Sequence, residues 1–161
     1  QHEPCDTQRI MFRTAATAGA DLILGSHPHV IQPVEYFKTA DNARLDSGFV
    51  IWSMGNFISN QNQRYTDAGM ILDLKIAKNV TRDSIWIEDV AYLPTWVFRG
   101  GHPKQHIHTI LPAEAFARDS AYFFVNADSK AKMKQAFEDT DKYINKYARI
   151  RRVDLKEAGV Q

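Results

Sequence analysis

Hydrophobic residues along this chain follow two rhythms. Leu22-Ile23-Leu24 and Gly48-Phe49-Val50-Ile51-Trp52-Ser53-Met54 are short runs that are apolar on both faces, the pattern of strands covered on both sides. From Met70 to Ile76 the pattern alternates instead. Met70, Leu72, Leu74 and Ile76 share one face, and Ile71, Asp73 and Lys75 share the other, which predicts a half-buried strand. Val30 to Phe37 reads as an extended segment broken by Pro33, followed by a polar surface loop over 38–47. Ser84 to Phe98, rich in Ile, Val and aromatic residues, reads as one or two strands interrupted at Pro94, with a turn at 79–83 before it.

A helical period governs two further stretches. Residues 7–18 hold Ala15, Ala16 and Ala18, with Asp6 or Thr7 placed to cap the start and Gly19 at the position of a left-handed terminator. Residues 129–149 carry a stripe of Met133, Phe137, Thr140, Ile144 and Tyr147 behind a capping Asp128. Pro112 opens a short helix to about residue 118, residues 99–112 read as irregular, and the charged tail 151–161 is expected to fray. Helix, glycine, buried strand and loop in succession predict an α/β fold, whose sites lie beyond the carboxyl ends of strands.

Composition acts mainly by exclusion. The 161 residues are 44% hydrophobic and 24% charged with a net charge of +1, so neither nucleic acid nor a membrane surface is indicated as a bulk partner. One cysteine, Cys5, excludes an internal disulfide. No apolar run reaches the span of a membrane helix. The chain opens Gln-His-Glu-Pro without an initiator Met, and is read as a piece of a longer protein.

Candidate chemistry gathers at strand ends. Gly25-Ser26-His27-Pro28-His29 follows the first buried run. In extended backbone, residues two apart face the same way, and Pro28 pushes His27 toward that geometry, so the two imidazoles are candidates for metal ligation. Two loop histidines bonded only to backbone would give the same sequence. Ser53-Met54-Gly55-Asn56 follows the second run, where Asn56 or a backbone N–H can approach an oxyanion. An ordinary Asn turn accounts for it equally. His102, His106 and His108 form a second, less ordered histidine group. Asp21, Glu35, Asp67 and Asp73 have no telling spacing, and solvation is the expectation for each. Ser26 lacks the surroundings of a nucleophile elbow.

The stretch 19–33 (Gly-Ala-Asp-Leu-Ile-Leu-Gly-Ser-His-Pro-His-Val-Ile-Gln-Pro), followed by 51–57 (Ile-Trp-Ser-Met-Gly-Asn-Phe), resembles the bacterial capsule-synthesis CapA (PgsA) family of poly-γ-glutamate biosynthesis. Those proteins resemble calcineurin-like metallophosphoesterases. The resemblance covers about residues 5–75. It implies a metallophosphatase-like four-layer α/β/β/α sandwich of which this chain is the C-terminal portion. Residues 1–112 would form the C-terminal half of that domain, and residues 113–161 a helical extension packed on it.

It also implies that His27 and His29 match the Gly-His-x-His block that supplies metal ligands, with Ser26 in place of its glycine. The cofactor would be one or more divalent ions, Mn, Zn or Fe, and Asn56 would sit near the substrate in a catalytic role. If the protein is a hydrolase, metal-activated water would attack a phosphoester or related bond. The family's earlier Asp-, Asn- and His-bearing motifs would precede residue 1. The partners implied are therefore the N-terminal half of the same protein, poly-γ-glutamate or synthase subunits, and a second copy of the chain. The full-length protein would sit on the outer face of the cell membrane. Two rival readings stand: a non-catalytic polymer- or partner-binding subunit of a membrane synthase complex, and a metal-dependent phosphodiesterase unrelated to capsule.

Overall fold

Helix α1 spans Asp6–Thr17. Its N-cap is Cys5, one residue earlier than the sequence indicates, because the Gln8 side chain reaches back to accept the Cys5 N–H at 3.0 Å. Gly19, at φ 96°, ends it in the left-handed conformation, with its N–H on the Ala16 carbonyl. The computed structural model describes residues 1–41, 43–100, 107–118, 126–157 and 159.

Among the described residues, seven strands follow in a mixed α/β arrangement. β1 (Leu22–Leu24), β2 (Val34–Lys38) and β3 (Ser47–Ile51) form a first sheet in the order β1-β3-β2. β1 runs parallel to β3, and β2 antiparallel to it. β4 (Ala68–Asn79), β5 (Ser84–Gly100) and β6 (Ile107–Pro112) form a second, antiparallel sheet, and β7 (Arg151–Arg152) joins β5 in parallel. A short 3-10 turn, Ala113–Ala117, precedes α2, which spans Ala127–Ile144. Among the described residues, no helix is long and apolar enough to cross a membrane.

Residues 84–100 form one strand, not two. Pro94 is tolerated because of which way its missing N–H would point. Tyr92 directs its carbonyl at Val153, on the β7 side, and Val97 sends its N–H to Asp67, on the β4 side. By alternation, position 94 faces the β7 side, where β7 has ended and β6 begins only at Thr95. The alternation expected in β4 holds from Met70 to Leu74. A register shift between Lys75 and Ile76 then leaves Ile76 51% exposed. Residues 107–112, expected as irregular, are a regular strand on β5.

The two sheets pack face to face. Phe49, Ile51 and Val34 of the first meet Met70, Val90 and Tyr92 of the second, all nearly or fully buried. Each such side chain contributes about 1.5–3 kcal/mol. α1 covers the opposite face of the first sheet, where Phe12 packs edge-on against Phe37 and tilted against Trp52. α2 lies on the same face of the second sheet as the first sheet does. Its Met133 packs with Trp96, Ala68 and Leu111, and its Ile144 with Val90 and Tyr92.

The cap of α2 is Asn126, whose side chain accepts the Ser129 N–H at 2.9 Å, rather than Asp128. Asp128 instead pairs with Lys132 along the helix. α2 stops at Ile144, short of residue 149, because the Asn145 side chain takes the Ile150 N–H and donates to the Tyr92 hydroxyl. Tyr147 therefore leaves the helical stripe and is 44% exposed. The tail is docked rather than frayed as far as Leu155, which is buried in the core.

Candidate functional site

The site is built where β1 and β3 end side by side. Their parallel pairing sends two loops, residues 25–33 and 52–57, off the same edge of the first sheet. Backbone bonds stitch those loops together: Gly25 N–H to the Ile51 carbonyl, Met54 N–H to the Gly25 carbonyl, and Gln32 N–H to the Ser53 carbonyl. The approach is close enough that a Cβ on Gly25 would stand 2.1 Å from the Trp52 carbonyl oxygen. Gly55, at φ 68°, then turns the chain so that Asn56 bonds to the Ala68 carbonyl at the start of the second sheet. The two sheets are thus joined at the site.

His27-Pro28-His29 is not extended, contrary to the geometry its sequence indicates. His27 and Pro28 form a turn, and His29 has φ 59°, a left-handed conformation that His tolerates better than most residues. The reason is tertiary, because Asn56 holds the His29 ring. His29 Nδ1 lies 2.8 Å from Asn56 Oδ1, while Asn56 Nδ2 donates to the Thr66 carbonyl at 2.8 Å and to Gln61 Oε1 at 3.0 Å. Asn56 is buried, whereas His27 and His29 are both exposed.

The two imidazole centres are 6.3 Å apart. Two histidines on one ion, with metal–nitrogen distances of about 2.0–2.1 Å, have ring centres at most roughly 6.5 Å apart. That limit requires the rings on opposite sides of the ion. Two ligands of a tetrahedral ion would have ring centres about 5.2 Å apart, so the pair stands wider than that and the exposed His27 ring would have to turn for both to meet one such ion. No group of three His, Cys, Asp or Glu side chains converges among the described residues. An open cleft of about 330 Å³ adjoins the pair, lined by Ser26, His29, Met54, Asn56, Phe57 and Met70 among others.

The remaining candidates disperse. Ser53 is fully buried and its hydroxyl accepts the Gly55 N–H, while Ser26 is exposed. Asp21 accepts the Arg44 and Leu45 N–H groups, tying down the loop before β3. Glu35 accepts the Trp52 indole N–H at 2.6 Å. Asp67 departs from the expected solvation. It is buried, bonded to Trp96, and its carboxyl is pushed above the usual carboxylate range chiefly by that burial. Asp73 is exposed on the outer face of β4. Of the second histidine group, His102 and His106 lie outside the described residues, and His108 pairs with Arg99 across β5 and β6.

Several residues that shape the site have no signal in the local sequence. Thr66 and Gln61 orient Asn56 from a loop whose only mark is polarity. Gln32 is buried and bonds to the Gln8 side chain and to the carbonyls of Gln1 and Glu3, fixing the end of the His27–His29 loop. Arg64 anchors the 57–66 loop to α2 through a two-point contact with Asp139, at 2.9 Å for each bond.

Residues 1–61, which include α1, the first sheet, both histidines and Asn56, match the family described as Bacterial capsule synthesis protein PGA_cap. The PGA biosynthesis protein CapA of Bacillus subtilis is 32% identical over 80 residues, covering 50% of this chain and 19% of that protein. The Capsule biosynthesis protein CapA of Bacillus anthracis is 29% identical over 80 residues, covering 50% and 18%. The matched stretch is thus about a fifth of the length of these curated relatives. No solved structure matches the chain.

Proposed function

We propose, from the match of residues 1–61 to the family described as Bacterial capsule synthesis protein PGA_cap, that this chain is part of a protein acting in poly-γ-glutamate capsule synthesis or export. Within it, His27 and His29 contribute two ligands to a divalent metal centre of Mn, Zn or Fe, completed by groups outside the described residues. The observation that carries this reading is the placement of two exposed imidazoles, 6.3 Å apart, on one loop, with the His29 ring held by the buried Asn56 amide. A neutral imidazole with its other nitrogen bonded to a fixed acceptor is the usual form of a histidine ligand.

Such an ion supplies Lewis-acid chemistry and activates water when bound. The chain's own contribution is positional. The β1 and β3 ends fix the loop, Gly25 lets the two backbones touch, and the cleft beside His29 is large enough for part of a substrate. α1, the first sheet and the second sheet would then be three layers of a metallophosphatase-like sandwich in a protein on the outer face of the cell membrane. The partners we propose are the rest of the same polypeptide and the polymer or its synthase subunits.

The test is metal content in the full-length protein. Elemental analysis of the purified His27→Ala/His29→Ala double variant is expected to show loss of bound metal relative to the wild type. Unchanged metal content at unchanged folding removes the ligand assignment and favours a polymer- or partner-binding role without catalysis.

A further inference from the structure

We infer that Asn56 is a positioning residue that locks His29 in one tautomer, with the proton on Nδ1 and the lone pair on Nε2. The argument runs through the amide. Asn56 Nδ2 lies 2.8 Å from the Thr66 carbonyl oxygen, which can only accept. That contact fixes which end of the amide is nitrogen and which is oxygen. The atom facing His29 at 2.8 Å is therefore Oδ1, which can only accept. His29 Nδ1 must carry the hydrogen, and in the neutral ring Nε2 is left as the base.

The lock is rigid because every attachment of Asn56 is made. The second Nδ2 hydrogen goes to Gln61 Oε1, and the Asn56 backbone N–H goes to the Ala68 carbonyl at 2.9 Å. Its own carbonyl lies so close to Gly69 that a Cβ there would stand 2.3 Å from the oxygen. Asn56 is 6% exposed, so water does not compete for the amide. His29, by contrast, is exposed, and because Nδ1 is the ring nitrogen on Asn56, Nε2 on the other side of the ring faces away from it. A buried amide thus chooses which nitrogen an exposed ring offers. The left-handed backbone at His29, with φ 59°, is the conformation that sets the ring against Asn56, and the hydrogen bond offsets its strain.

The tautomer follows from the hydrogen bonds alone. Its use, presenting Nε2 to a metal ion, rests on the proposed function above. The experiment separates the two. In protein labelled with ¹⁵N at histidine and held at about pH 8.5, where a histidine side chain is normally neutral, long-range ¹H–¹⁵N correlations distinguish the two tautomers. Wild-type His29 is expected to be in the Nδ1–H form, and finding it in the Nε2–H form overturns the inference without any variant being needed. In Asn56→Ala, His29 is expected to lose that preference, and zinc affinity measured by titration is expected to fall about 10–100-fold. Gln61→Ala, which keeps the Thr66 contact, is expected to leave the tautomer unchanged and serves as the control for a general loss of structure. A tautomer that changes in Asn56→Ala while zinc affinity stays constant overturns the positioning role. The Nδ1–H form in a wild-type protein that binds no zinc supports the lock and removes the metal reading instead.

Discussion

Trp96 donates its indole N–H to Asp67 Oδ2 at 2.9 Å, and both side chains are buried where β4 and β5 begin to pair. Burial pushes the Asp67 carboxyl above its ordinary range, and the Trp96 hydrogen bond only partly opposes that push. A group whose pKa is higher when folded binds its proton more tightly in the folded state, so stability falls as pH rises from the unfolded value through the folded one. Asp67→Asn keeps an acceptor for Trp96 without the charge. We expect it to raise the melting temperature at neutral pH and to reduce the pH dependence on the acid side. Asp67→Ala orphans the indole N–H and is expected to cost about 1–3 kcal/mol. Thermal melts of the three proteins between pH 4 and about 7.5 check both; an Asn variant less stable than wild type throughout contradicts the ionic cost.

Gly25 and Gly55 are two of the positions where the site tolerates no side chain, Gly69 against the Asn56 carbonyl being another. A Cβ on Gly25 meets the Trp52 carbonyl at 2.1 Å, and one on Gly55 meets the Ala68 carbonyl at 2.6 Å in a backbone with φ 68°. Both neighbours are main chain and cannot swing aside. Gly25→Ala is expected to destabilise the fold by about 1–3 kcal/mol, read as a shift in the urea midpoint. Gly55→Ala should in addition displace Asn56, visible as a change in the His29 ring resonances.

Tyr92 is nearly inaccessible, and its hydroxyl donates to Asp141 at 2.6 Å while accepting from Asn145 at 3.0 Å. These bonds tie β5 to the end of α2. Tyr92→Phe keeps the packing but leaves a carboxylate and an amide without their partner. The expected loss is about 1–2 kcal/mol in equilibrium unfolding. Burial and the Asp141 carboxylate together hold the Tyr92 hydroxyl well above its ordinary pKa, so this phenol should show no spectrophotometric titration below the pH at which the protein unfolds.

β1 has the composition of an interior strand, yet among the described residues its outer edge is unpaired. Leu24 is 55% exposed, and Met11 and Ile10 on the adjoining helix are 67% and 56% exposed. An open, uncharged apolar edge invites pairing with another chain. Produced alone, the chain is expected to self-associate, and Leu24→Lys is expected to return it toward its 18.4 kDa monomer mass in light scattering. A sharp wild-type monomer with cooperative unfolding speaks against this.

What could be read from sequence followed the reach of the signal. Phe49–Ile51 announced a buried strand because the two faces of a strand are written in neighbouring letters, and Gly19 announced the end of α1 because only the backbone next to it matters. Leu22–Leu24 has the same letters, yet it is a strand only half-buried, with Leu24 exposed, because among the described residues no strand covers its outer edge. The same locality misplaced the α2 terminus. Asn145 stops the helix by bonding to Tyr92, 53 positions away in the chain, and nothing in the helical stripe records that contact.

The sequence alone determined which residues gather at the strand ends, namely Gly25, His27, His29, Gly55 and Asn56, since strand period and turn chemistry are local. Tertiary structure decided what those residues do to one another. It brought Asn56 against His29 across 27 positions, turned the His27–His29 step out of its extended geometry, and buried Asp67 beside Trp96. The physical reason is that hydrogen-bond direction and desolvation depend on where separate segments meet, and that is settled by the packing of two sheets rather than by the period of either one.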